Sequence, residues 1–293
     1  MLVINFRKNI TIQLNEIKKN IIAEKARNQI DFFENKDYLF VGRVRIDNKK
    51  NLCHTNNLDK NKSDQELIIE LYNKLDLSFA KDIAGPFSFI LINKNTFKII
   101  GARDHFGQYP FYYSFFNESF IFSLDQRYII SKIRDVSIDK LSVESFIKNS
   151  MPIKGRTFYK EIKRLPSKSY IEIYDINNIF ISEYYRFPET IFKSKSDLFY
   201  KNKFKEIFNE IFFSYFDKSS SYSTTLSGGL DSSSIASMLG KHQPNEHFSY
   251  SVHFDGLAMD DFKKTDEKKF VKSVIDRYGL NHKYIYLHAD RDG

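Results

Sequence analysis

Two nearly unbroken apolar runs, Phe87 to Ile92 and Phe97 to Ala102, flank the polar link Asn93-Lys94-Asn95-Thr96, a spacing that predicts a β-hairpin. A second hairpin is predicted where Phe111-Tyr112-Tyr113 and Phe120-Ile121-Phe122 lie on either side of a short link. Both are rich in Phe, Ile and Tyr, residue types that fill a pleated, buried surface. Upstream, Ser63-Asp64-Gln65-Glu66 has the order of a capping box, and Leu67, Leu71 and Leu75 share one face of the helix it opens. Downstream, a helix is expected from Asp139 to Lys148, with strands from Ser169 to Tyr174 and Ile179 to Tyr185. These elements predict an α+β domain of stacked antiparallel sheets.

The polar segment Phe187-Pro188-Glu189 to Ser196 interrupts the pattern, so the boundary is placed there, giving domains 1–190 and 191–293. A long helix follows, carrying Phe204, Ile207, Phe208, Ile211 and Phe212. Tyr222 to Leu226 then reads as a short strand, and Ile235, Met238 and Leu239 recur at helical spacing. Phe248 to Phe254 is a second strand, Asp266 to Tyr278 a helix ended by Gly279, and Lys283 to Leu287 a third strand. Strand and helix alternate, which implies a parallel α/β sheet with ligand bound beyond the carboxyl ends of its strands.

Composition narrows the partners. The chain has 293 residues and a net charge of +8, but its 45 basic residues are interspersed with 37 acidic ones rather than gathered in arms. That argues for a solvated surface and against nucleic acid. Charge appears as early as Arg7, no apolar run is long enough for a bilayer, and a cytoplasmic protein with no membrane contact is expected. Cys53 stands alone, with neither a disulfide partner nor metal-ligand spacing, and its neighbour His54 is badly placed as a base.

The chemistry concentrates in Leu226-Ser227-Gly228-Gly229-Leu230-Asp231-Ser232-Ser233. Two glycines permit a sharp turn, and the helix that follows presents unpaired N–H groups at the positive end of its dipole. Serine hydroxyls add donors. Asp231 would repel a bare polyphosphate, so its presence makes sense if it holds a Mg²⁺ bridging the phosphates. No Gly-Lys-Ser/Thr follows, which excludes the Walker A loop and argues against kinase or motor chemistry.

The loop from Ser227 to Ser233 resembles the pyrophosphatase-type ATP loop of glutamine-dependent asparagine synthetases and their relatives, the β-lactam synthetases and lasso-peptide cyclases. A second stretch, Gly101-Ala102-Arg103-Asp104-His105-Phe106-Gly107-Gln108-Tyr109-Pro110-Phe111-Tyr112-Tyr113, resembles the signature of that family's glutaminase-like domain, and Gly85 to Phe89 resembles the strand before it. The resemblance implies an Ntn-type first domain and an ATP-pyrophosphatase-type second one. It also implies ATP held by Leu226 to Ser233, Asp231 on Mg²⁺, and Leu226 and Val252 against adenine. The reaction implied is adenylation of a carboxylate with release of pyrophosphate, then attack by an amine or ammonia with release of AMP. Asp266-Glu267 falls where the family often has acidic residues, and Asp266 equally suits a helix N-cap. Arg103 and Asp104 are read as pinning a turn.

Three departures follow from the same comparison. Leu2 stands where glutamine-hydrolysing members expose a cysteine, and Val41-Gly42-Arg43 replaces a glutamine-holding Asn-Gly-Glu. Asp64 matches a glutamine-contacting Asp, or serves the capping box alone. The first domain is therefore expected to lack glutaminase activity, and no catalytic residue is assigned. The family's second Mg²⁺-binding loop is not found before Gly293, so the chain is expected to be a truncated or split synthetase, completed by a downstream polypeptide. A homodimer is a further expected assembly. The alternatives are a lasso-peptide or β-lactam type cyclase and a non-catalytic nucleotide-binding remnant; a tRNA-modifying pyrophosphatase would lack the Arg103 to Tyr113 signature.

Overall fold

Strand β3 (Tyr38–Val44) is buried on both faces, and its alternation sorts the side chains into two different cores. Leu39 and Val41 point into one, and Tyr38, Phe40 and Val44 into the other. The computed structural model describes residues 2–6, 30–150, 153–189, 195–216, 220–243, 246–255 and 267–288. The chain divides into two compact units, Met1–Ser196 and Asp197–Gly293.

In the first unit β3 lies within a six-stranded antiparallel sheet, with β2 (Asp31–Glu34), β4 (Phe87–Asn93), β5 (Ile99–Arg103), β9 (Ser169–Ile173) and β10 (Ile179–Glu183), in the order β10-β9-β5-β4-β3-β2. A second antiparallel sheet has the order β1-β7-β6-β8, from β1 (Leu2–Asn5), β6 (Tyr112–Phe116), β7 (Ser119–Ser123) and β8 (Lys163–Arg164). One core joins the sheets, since Val41, Ile90, Ile92 and Ile171 of the first pack with Leu2, Tyr113, Phe120 and Phe122 of the second. The opposite face of the larger sheet, with Phe40, Phe87, Phe89 and Leu91, is covered by the helices Lys49–Asn56 and Asp64–Leu75. Ile121, on the opposite face of the smaller sheet, packs against Ile129 and Ile133 of the helix Gln126–Ile133. The layers thus run helix, sheet, sheet, helix.

Both predicted hairpins form, with small shifts at their ends. β4 and β5 pair from Ser88 with Arg103 to Ile92 with Ile99, while Phe97 falls in the turn at φ 62° instead of opening the strand. β6 and β7 pair from Tyr112 with Ser123 to Phe116 with Ser119. Asp139 caps the helix Lys140–Ile147 by accepting from the Ser142 N–H. At Ser63 the capping box is complete: the Glu66 N–H donates to Ser63 Oγ at 3.3 Å and the Ser63 N–H to Glu66 Oε2 at 2.9 Å.

In the second unit β11 (Ser223–Thr225), β12 (Phe248–Asp255) and β13 (Asn281–His288) form a parallel sheet in that order. The helices Leu230–His242 and Lys268–Tyr278 connect them, and Leu226, Ala236, Val271 and Leu280 make their shared core. Gly279 ends the second helix in the left-handed conformation at φ 61°. The first helix of this unit, Asp197–Tyr215, has no buried residue; Phe204 and Ile211 on it are exposed.

Phe89 is fully buried among Phe40, Phe79 and Phe87, with ring centroids 5.3 to 6.4 Å away. Phe89→Ala removes the ring at the centre of that cluster and is expected to destabilise the first unit by about 3–5 kcal/mol. Urea unfolding measures it; a loss near that of an exposed Phe→Ala would contradict the packing.

Candidate functional site

Thr225 ends β11, and Leu226 continues its course with the N–H donating to the Tyr250 carbonyl at 2.8 Å. The Leu226 side chain is fully buried in the unit's core, and its carbonyl accepts from Ser251 Oγ. Leu226, expected against adenine, thus turns its side chain into the core and leaves its backbone at the strand end. Val252, its expected companion, is about half exposed on β12.

After Leu226 the chain turns. Gly228 adopts φ 94°, and a Cβ there would lie 2.7 Å from Glu267 Cβ and 2.8 Å from the Glu267 carbonyl oxygen. Both the backbone conformation and the close approach require glycine. Ser227 Oγ lies 3.0 Å from Ser232 Oγ and accepts from the Gly229 N–H at 3.3 Å, while Ser232 Oγ accepts from the Ser227 N–H at 3.2 Å. These bonds hold the turn onto the first coil of the helix Leu230–His242. Its N-cap is Gly229, and no side chain caps the helix. The N–H groups of the first turn thus remain available to a ligand, with Leu230 and Asp231 exposed and Ser232 and Ser233 half-buried beside them.

The residue that abuts this turn comes from the next connection. Glu267 is the N-cap of the helix Lys268–Tyr278 and abuts Gly228. Asp266 lies outside the described residues. At the start of β12, His247 is fully buried with Nε2 2.8 Å from Thr224 Oγ1, and its Nδ1 has no hydrogen-bond partner among the described residues. Sequence reasoning missed this pair, since a lone His and Thr on neighbouring strands leave no spacing signal.

The polar residues of the first unit behave differently. Asp64 Oδ2 accepts from the Ile46 N–H at 2.9 Å and Oδ1 lies 3.0 Å from Lys49 Nζ, so the carboxylate ties the loop after β3 to a helix start. Arg43 places its guanidinium over the Tyr109 ring, 4.6 Å from the centroid. Gly42 meets the neighbouring strand so closely that a Cβ would lie 2.4 Å from Phe89 Cα. Arg103 is buried and donates to three carbonyls, those of Tyr109, Leu165 and Gly107, at 2.7 to 2.8 Å; burial lowers its pKa from the ordinary value. Asp104, also buried, accepts from the N–H groups of Phe87, Phe106, Gln108 and Tyr109. Cys53 is buried on the helix Lys49–Asn56, and burial pushes its thiol up, away from the reactive thiolate.

Residues 44–185 match the family model described as a glutamine amidotransferase domain, and residues 215–292 that of asparagine synthase. A putative asparagine synthetase [glutamine-hydrolyzing] 2 of Methanocaldococcus jannaschii is 26% identical over 283 residues, covering 93% of this chain and 52% of that protein. Asparagine synthetase [glutamine-hydrolyzing] 1 of Bacillus subtilis is 25% identical, covering 69% of this chain and 32% of that protein. The chain thus spans about half the length of the first and a third of the second. Among solved structures, the glutamine phosphoribosylpyrophosphate amidotransferase of B. subtilis aligns with a TM-score of 0.34 at 10% identity, over 87% of this chain and 47% of that one.

Burial pushes the His247 imidazole below its ordinary value of 6.5. The unfolded chain takes up that proton below about pH 6.5 and the folded one only at lower pH, so stability falls as the pH drops through this window. His247→Gln is expected to flatten the decline in the second unit's melting temperature between pH 7.5 and 5. Melting curves of the two proteins giving parallel slopes would refute it.

Proposed function

The chain belongs to the asparagine synthetase family, and on that premise we propose that it serves ATP-dependent amide formation, with the loop from Leu226 to Ser233 as its nucleotide site. The observation that carries this reading is the uncapped helix start after Ser227, Gly228 and Gly229, at the carboxyl end of a parallel strand. Three serine hydroxyls and a turn of free N–H groups suit a pyrophosphate, and a substrate carboxylate attacking the α-phosphorus would leave pyrophosphate there. Donors already oriented toward that group stabilise the charge that grows on it during adenylation. An amine or ammonia then displaces AMP from the acyl-adenylate.

Asp231 is the carboxylate suited to Mg²⁺. Among the described residues no group of three or more His, Cys, Asp or Glu side chains could hold a metal. A lone Asp still fits this ion, which keeps waters and substrate oxygens as ligands instead of requiring a protein cage. When bound, Mg²⁺ would neutralise charge on the departing phosphates.

The amine donor is proposed to be free ammonia or an amine of the substrate instead of glutamine. Asp64 is engaged by Ile46 and Lys49, and Arg43, stacked on Tyr109, occupies the place of the family's glutamine-holding carboxylate. The chain is accordingly proposed to act in the cytoplasm on a small-molecule or peptide carboxylate, together with a polypeptide that completes the synthetase domain.

Calorimetry of the whole chain with MgATP tests the site. Wild type is expected to bind, Gly228→Ala to lose at least tenfold in affinity through the clash with Glu267, and Asp231→Asn to lose the Mg²⁺ dependence. A folded chain that binds no MgATP would sink the proposal. ATP–pyrophosphate exchange dependent on an added carboxylate, with any completing polypeptide present, tests adenylation separately.

A further inference from the structure

We propose that the first unit carries a second ligand site, for a small monocarboxylate with a flat apolar body, in a cavity of about 180 Å³ beside the helix Lys140–Ile147 and strand β8. Its walls include the apolar side chains Phe146, Ile153 and Phe158, together with Tyr112 of the smaller sheet. Phe146 and Phe158 meet edge to face at 5.5 Å and remain 69% and 40% exposed, an open aromatic slot instead of a closed core.

Two polar residues that line this cavity carry groups the fold leaves without a partner. Ser142 is only 9% exposed, and its Oγ is buried with no hydrogen-bond partner among the described residues, which costs stability unless something supplies one. Arg164 lines the same cavity, its guanidinium has no carboxylate or carbonyl partner among the described residues, and none of the described lining residues is acidic. Arg156, the other cation, is already neutralised: Nε donates to Asp139 Oδ2 at 2.7 Å and Nη2 to Oδ1 at 2.9 Å.

Charge selects the ligand class. One uncompensated guanidinium balances one negative charge, so a monoanion is matched and a phosphate dianion would bring a charge with no partner. A carboxylate presents two oxygens in one plane, able to take the fork of Arg164 and the hydroxyl of Ser142 together. The aromatic walls favour a ring or branched chain behind it. This site does not involve the nucleotide loop and stands whether or not that loop binds ATP.

Calorimetry and saturation-transfer NMR on the whole chain, with phenylacetate as probe, provide the test. Phenylacetate is expected to bind saturably, and phenylacetamide and inorganic phosphate at least tenfold more weakly. Arg164→Gln is expected to weaken phenylacetate at least tenfold, Arg164→Lys less, and Ser142→Ala about threefold. Should Arg164→Gln fail to fold, Phe158→Ala at the exposed wall is expected to weaken the probe comparably. Absence of saturable binding, affinity unchanged in Arg164→Gln and Ser142→Ala, or a chain that self-associates through Phe146 with the cavity shut to the probe would each overturn the proposal.

Discussion

The first unit depends on a buried arginine and aspartate that do not pair chiefly with each other but with the backbone around them. At the end of β5 the chain must leave the larger sheet and enter the smaller one. The connection from Asp104 to Phe111 would bury peptide groups that neither ladder can satisfy. Arg103 supplies donors to the carbonyls of Gly107, Tyr109 and Leu165, and Asp104 accepts from Phe87, Phe106, Gln108 and Tyr109. Each charge is buried, which is tolerable only because its hydrogen-bonding capacity is taken up so fully. Tyr184 closes the arrangement by donating to the Arg103 carbonyl. The two sheets can therefore face each other across an apolar core without stranding the backbone that links them.

This constraint explains why some elements were legible and others were not. Strands β4, β5 and β7 are buried on both faces and carry nearly continuous apolar runs, which announce themselves without structural context. Strand β1 is four residues long and pairs with a partner far away in sequence, Leu2 opposite Phe122, while β2, equally short, is only half-buried along its length. The helix Lys49–Asn56 buries only Leu52 and Cys53, so its sequence reads as a polar run. Its existence follows from tertiary burial, not from periodicity. At the helix Lys268–Tyr278 the glycine stop was readable, because Gly279 does the same thing in any context.

The candidate site was legible to a different degree. The glycines and serines of the loop fixed its type, since a positive φ at Gly228 and an uncapped helix start follow from local chemistry. The role of Leu226 was not readable in the same way. Its position at a strand end is compatible with a ligand contact, but the structure turns the side chain into the core with Ala236, Val271 and Leu280. Likewise, the closeness of Glu267 to Gly228 joins residues from two different connections, and only the parallel pairing of β11 with β12 brings those connections to one end of the sheet.

The two units differ most in what becomes of their polar groups, and this difference separates structural residues from ligand-binding ones better than residue type does. Asp64, Arg103 and Asp104 sit in motif positions, yet the fold itself engages them: a helix start tied to Ile46 and Lys49, and a turn saturated on both sides. The loop at Ser227 inverts this economy, because its hydroxyls are bonded only to one another and to the turn, while the N–H groups of the following helix have no cap. A helix start with glycine in place of Ser, Thr, Asn or Asp loses part of the stabilisation a side-chain cap would give, about a few tenths of a kcal/mol. Gly229 forgoes that stabilisation at the one helix start in this unit that lies at the carboxyl end of β11, where an anion gains from the same N–H groups and dipole. The cost of leaving the helix uncapped is intelligible if a phosphate completes it.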